Sequence, residues 1–339
     1  MQTRNLVMVA FSLVVASVTV GAGMRSARSQ EAPGRDTSGQ AGYKSKVSIE
    51  VRNGFRYINA NGIPDHPTGQ FPNRGNPNRI SPQDYHFRVP LEPKSATRPY
   101  RGDLFGVALN GVVFDPGTGE VWNGDFRWHY EALTGFLKTI GSLGADENLA
   151  HVQPNGAYHY HGLPMGLLKK LDYTRQMTLI GYAADGYPIY GPYVYQNPMD
   201  AKSPLKAVRS GYRIKSQERP GGNEGPGGAC DGSFASDYEY VKGASELDEC
   251  NGRTGITPEY PNGTYYYVLT DNWPFVPRQF HGTPDRTFQK GPGGPGGPGG
   301  PGGPGMPGGF PPPGGQGRPG FPGGPPPGFP GGPPPPPQE

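Results

Sequence analysis

The sequence predicts a mainly β protein: a single irregular β-rich domain with one or two short helices, followed by a disordered Gly/Pro-rich C-terminal tail. Three observations carry that prediction. Helical periodicity is scarce across the 339 residues. Short runs rich in Val, Tyr, Phe and Thr lie between Gly, Pro, Asn and Asp, the pattern of strands joined by tight turns. Composition changes abruptly at both ends, which confines the core to the middle of the chain.

Residues 1–29 read as a secretory signal peptide. Arg4 precedes an apolar run from Leu6 to about Val20. That run is shorter than the about 20 residues a membrane span needs, and small residues follow it. Cleavage after Gly23 or Ser29 fits, which predicts a secreted, periplasmic or cell-surface protein with no transmembrane span after cleavage. No Cys lies near the junction to take a lipid. Residues 30–47 form a polar, flexible lead-in. At the other end, residues 291–339 hold 21 Gly and 20 Pro in 49 positions. Such a segment has too little apolar surface to offset its chain entropy and is expected to be disordered, with local polyproline II character. It reads as a solvated spacer or as a contact for a cell-surface or matrix partner.

Residues 48–290 remain for the domain. Along them, strands are expected at Phe105–Phe114, Tyr158–His161, Met177–Ala183, Tyr187–Tyr195, Phe234–Val241 and Thr264–Thr270. Glu131–Gly144 and Met165–Leu171 are the two short helix candidates. Arg4, Arg25 and Arg28 account for the net charge of +3, and Arg318 cancels Glu339, so residues 30–290 are formally neutral. Nucleic-acid binding therefore has no electrostatic basis. No phosphate loop or dinucleotide fingerprint is present, which argues against nucleotides. The two cysteines, Cys230 and Cys250, most simply form one disulfide in an exported protein. A crosslink closing the loop between them is worth roughly 3 kcal/mol by loop-entropy arguments.

Three of the seven histidines fall in HVQPNGAYHYHGLP, residues 151–164. On a strand, alternation puts His159 and His161 on one face and Tyr158 and Tyr160 on the other. The Asn155-Gly156 turn lets His151 fold back towards the pair. Three imidazoles hold a transition metal, zinc or copper, and leave a position for water or substrate. His129 and Glu131 share a face if extended and are candidates to complete the set. Asp185 is the candidate general base, or a partner orienting a histidine. Asp115–Glu120 lacks the dense Asp/Asn spacing of a calcium loop.

The run AHVQPNGAYHYHGLP resembles the signature of the YHYH domain family, named for Tyr158-His159-Tyr160-His161. The likeness extends in order through FGVALNGVVFDP (105–116), GYAADGYPIYGPY (181–193), LDECNGR (247–253) and TPEYPNGTYYYVLTDNWPF (257–275), covering about residues 48 to 285. It implies an exported protein and supplies no mechanism. The chain also echoes itself: Pro154–His161 aligns with Pro261–Val268. The resemblance implies a His in the second copy where this chain has Tyr266. Two functions follow. The first is an extracytoplasmic metal-binding domain, whose chemistry, if catalytic, is metal-activated water attacking a carbonyl or phosphoryl group. The second is a non-catalytic cell-surface or matrix module whose Tyr and Trp faces bind glycan or peptide.

Overall fold

The largest element is an eight-stranded sheet of short strands. Across it the order is Gly252–Gly255, Thr264–Val268, Pro188–Tyr190, Leu179–Ala183, Gly106–Ala108, Val113–Phe114, Tyr158–Tyr160 and Ala150–Val152. The structure is a computed structural model. It describes residues 42–100, 104–141 and 143–290, with backbone alone for 97–100. The signal peptide, residues 30–41 of the lead-in and the tail lie outside the described residues. The protein is mainly β, with two short α-helices, Gly135–Ile140 and Met165–Lys170. Neither is long and apolar enough to cross a membrane.

The sheet is one four-strand unit and its repeat. The halves meet where Leu179–Ala183 pairs antiparallel with Gly106–Ala108. In each half an antiparallel hairpin takes a parallel strand on its second arm: Tyr158–Tyr160 beside Val113–Phe114, and Thr264–Val268 beside Pro188–Tyr190. Each added strand then pairs antiparallel with an outer one, Ala150–Val152 or Gly252–Gly255. The sequence echo is thus a repeat of topology. Both hairpins turn on a glycine at positive φ, Gly111 (80°) and Gly186 (97°), where other residues are strained. The residues before them, Asn110 and Asp185, both bond a strand tyrosine: Asn110 donates to the Tyr160 hydroxyl at 2.9 Å, and Asp185 accepts from Tyr267 at 2.5 Å. Asp146 and Asp248 likewise accept from Tyr158 and Tyr265.

A second sheet, Val47–Arg52, Phe55–Ala60 and Tyr85–Pro90, is an antiparallel meander. Its third strand buries Tyr85, Phe87 and Val89 on one face. Phe288 stacks on Phe87 at 4.3 Å, and Arg88 pairs with Asp285 at 2.7 Å, tying the C-terminal end of the domain to this sheet.

Several elements are shorter than the sequence suggests. Phe105–Phe114 is two strands, because Asn110-Gly111 turns the chain. Tyr187–Tyr195 is broken at Gly191-Pro192. The expected helix from Glu131 starts at Gly135, because Tyr130 bridges Phe234 and the Glu131 amide donates to Ser233. It ends where Gly141 takes φ 62°. Phe234–Val241 becomes a 3₁₀ turn, Ala235–Asp237, and a strand, Tyr238–Tyr240.

The expected disulfide is corrected: Cys230 and Cys250 are both free. Cys250 is buried in the main core, in the turn before Gly252, its amide donating to Asp248 at 2.9 Å. Cys230 lies beside Arg219, Asp237 and Lys215. The Gly-rich segment 221–228, which precedes Cys230, is closed by polar contacts at its ends. The Arg219 guanidinium, buried, binds Asp237 at 2.7 Å and also binds Asp231, while Glu218 bridges Ala229.

Candidate metal centre

Antiparallel register sets His151 directly opposite His159, so the two rings share a face of the sheet. His161 follows His159 by two residues and returns to that face. All three line a cleft of about 1160 Å³. Their ring centroids are 4.5 to 4.8 Å apart, and one nitrogen from each lies within 4.8 Å of the others. Tyr158 and Tyr160 point the other way into the main core, both fully buried. There Tyr160 donates to His66 at 2.6 Å, and the His66 Nδ1–H donates to the Pro67 carbonyl at 2.9 Å. His66 thus supports the strand from behind and takes no part in the cluster.

Burial removes charge from the cluster. His159 and His161 are each 2% exposed. Burial pushes His151 and His159 each down to about 3, the His159 ring adding to the effect on His151. His161 is driven well below its usual value by burial, then by His159 and His151, and then by Arg278 and Lys290. At neutral pH all three are neutral imidazoles with lone pairs to offer.

The hydrogen bonds say which nitrogens offer them, the tautomers following from the network. His159 Nδ1 is 3.2 Å from the Ala157 carbonyl and His151 Nδ1 is 3.1 Å from the Leu143 carbonyl. Each donates there, which leaves Nε2 as the ligand atom. Asn76 packs against the same His151 nitrogen at 3.1 Å while donating to the Val152 carbonyl at 2.9 Å. His159 Nε2 faces His161 Nε2 across 3.0 Å. A proton between them would make His161 Nδ1 a bare acceptor, and that atom is buried without a partner among the described residues. A cation between them would resolve the contact instead. Nitrogens held about 2.0–2.1 Å from one tetrahedral ion stand about 3.3 Å apart, close to the 3.0 Å between His159 and His161. The three donors fit a transition metal, and His151, His159 and His161 would hold it with a position left for water or substrate.

The other candidates are placed differently. His129 lines the same cleft, with Nδ1 donating to the Thr118 carbonyl at 3.0 Å, but it is not in the cluster. Glu131 is buried and held bidentately by Arg278 at 2.9 and 2.7 Å, which occupies both its oxygens. Asp185 does not line the cleft. It sits in the second half of the sheet, accepting from Tyr267, Gly282 and Tyr187. Burial raises its carboxyl to about 6, against the pull of those three bonds.

Sequence reasoning gave no role to Asp115, which the cleft contains. It is 1% exposed. Its Oδ2 accepts from Gln153 at 2.8 Å and from Lys290 at 2.5 Å, while Oδ1 has no partner among the described residues. The signal that finds it is strand register, which a single sequence does not carry. Aromatic side chains of Phe126, Tyr130, Tyr238 and Trp273 form much of the remaining wall.

A family model described as YHYH protein matches residues 86–282, which includes the three histidines and both halves of the large sheet. None of the curated proteins and none of the solved structures compared with the chain matches it.

Proposed function

The chain belongs to the YHYH protein family, and from that premise we propose that it is a metal-binding protein whose ion, zinc or copper, is held by His151, His159 and His161. The observation that carries the reading is the convergence of three neutral imidazoles, His159 and His161 buried and facing at 3.0 Å and His151 half-buried, on one face of the sheet. Three protein ligands leave an exchangeable position, and the cleft gives it access to solvent and substrate. The signal-like N-terminus supports an extracytoplasmic setting, in which residues 48–290 form the working domain.

Metal analysis tests this. The full chain purified without chelator and then given zinc or copper salts should hold about one ion per molecule. His159→Ala and His161→Ala should each lose most of it. His86→Ala is the proper control, because His86 is exposed on the smaller sheet and bonded to Asn59 and Asp84. Elemental analysis finding no bound ion in the parent protein after both incubations would refute the reading.

A further inference from the structure

We infer that Asp115 is a positioning residue of the histidine centre, its carboxylate accepting the Nδ1–H of His161 when the opposite nitrogen of that ring engages an ion. The inference rests on the metal reading above and adds a residue to it. Parallel register pairs His159 with Val113 and Tyr160 with Phe114. The ladder continues through the Asp115 amide, which donates to the Tyr160 carbonyl at 3.0 Å. The next step sets Asp115 beside His161. Strand alternation turns both towards the cleft, and both line it.

Each of the two side chains carries one buried atom without a partner among the described residues, His161 Nδ1 and Asp115 Oδ1. One is a nitrogen that must carry the proton if Nε2 is to bind an ion. The other is an acceptor. A single hydrogen bond between them satisfies both. The rest of the carboxylate is already fixed, since Gln153 and Lys290 hold Oδ2. The ligand group is three imidazoles and no carboxylate, so Asp115 stands behind a ligand and is not one itself. His151 and His159 have their Nδ1 partners in the carbonyls of Leu143 and Ala157. His161 alone of the three has none, and a carboxylate is the stronger acceptor. Such a bond fixes the ring, sets its tautomer and makes Nε2 a better donor to the metal.

The test uses the full chain and zinc ion, with affinity measured by competition against a chromophoric chelator. Asp115→Asn should weaken zinc binding roughly 10- to 100-fold. An amide cannot accept from His161 on one side and from Gln153 and Lys290 on the other, since one of its two polar atoms is a donor. A purely structural role would lower the melting temperature yet leave the affinity of the folded fraction unchanged. Imidazole nitrogen NMR on the zinc-loaded parent protein needs no variant. It should show a slowly exchanging, hydrogen-bonded proton on His161 Nδ1, with Nε2 shifted by the metal. If the parent takes up neither zinc nor, tested in its place, copper, the metal reading fails and Asp115 with it. If the parent binds zinc but Asp115→Asn binds within twofold of it, or the His161 Nδ1 proton exchanges freely, the role of Asp115 is overturned and the metal site stands.

Discussion

Tyr160 and His161 are adjacent in sequence and serve opposite faces. The Tyr160 ring is fully buried, and its hydroxyl joins His66 at 2.6 Å to Asn110 at 2.9 Å. Replacing Tyr160 with Ala should cost about 3–5 kcal/mol, as large aromatic truncations in cores do. Tyr160→Phe should cost about 1–3 kcal/mol, because it leaves His66 and Asn110 with one partner fewer in a buried place. His161→Ala removes a ring whose Nδ1 has no partner among the described residues and which lines the cleft. It should cost the metal-free protein less than either Tyr160 change, yet abolish most of the stabilisation that added zinc gives by binding the folded state. Thermal melts of the three variants with and without zinc check this, and zinc stabilisation intact in His161→Ala would contradict it. At this scale the histidines were legible, because alternation along a strand depends on sequence alone. Asp115 was not, since its neighbour His161 is 46 positions away and only pairing of the strands makes them adjacent. That Asp185 lies away from the histidine cleft was hidden for a related reason. An Asp-Gly turn looks the same whether its carboxylate serves a substrate or, as here, a buried tyrosine.

The strands are held in place by what the seam excludes. At the junction of the two halves a Cβ on Gly181 would stand 2.2 Å from the Val107 carbonyl oxygen, and one on Gly106 would stand 2.4 Å from that of Tyr182. Both obstacles are backbone, so no rotamer change relieves them. Gly181→Ala should therefore lose about 1–3 kcal/mol, the usual range for overpacking. Gly191→Ala, whose added carbon meets the flexible end of Leu168 at 3.3 Å, should change stability much less. Chemical denaturation of the two variants separates them, and equal losses would show that the seam is not tight. The β class and most strands were readable from aromatic and β-branched runs between turns. The strand lengths and the helix start were not, because they are set by distant partners such as Phe234 and Ser233. The repeat was visible as two Asn-Gly turns before Tyr-rich strands. Its second copy carries no cluster: the positions matching the His151–His159 pair hold Arg253 and Tyr266, with Arg253 donating to the Tyr266 hydroxyl at 2.6 Å. An internal hydrogen bond occupies the place that three imidazoles fill in the first half.

For the molecule as a whole, buried titratable groups on the two halves oppose each other as pH changes. In the metal-free protein His151 and His159 titrate at about 3 and His161 well below 6.5, whereas all three titrate near 6.5 in the unfolded chain. From about pH 6.5 down to about 3 the unfolded state therefore binds more protons, and acidification removes stability. Each group contributes about 1.4 kcal/mol per pH unit while it is neutral in the fold and charged outside it. Asp185 acts in the other direction. Its carboxyl is raised from 3.8 to about 6, so between those values the folded state holds the extra proton and acidification adds stability at the same slope. Three groups against one leave a net loss of roughly 3 kcal/mol per pH unit between pH 6 and 4 from these residues. Replacing Asp185 with Asn removes the opposing contribution, and it leaves one donor among Tyr187, Tyr267 and Gly282 without an acceptor, a loss that is the same at every pH and so leaves the slope readable. Asp185→Asn should thus lose stability more steeply on acidification than the parent chain. Replacing His159 with Ala should flatten the profile. Denaturant unfolding of the metal-free proteins at pH 7, 6 and 5 measures both slopes. A parent protein whose stability is flat or rises on acidification would mean that the imidazoles are not held neutral by burial, and the lone pairs on which metal binding depends would not be available at low cost.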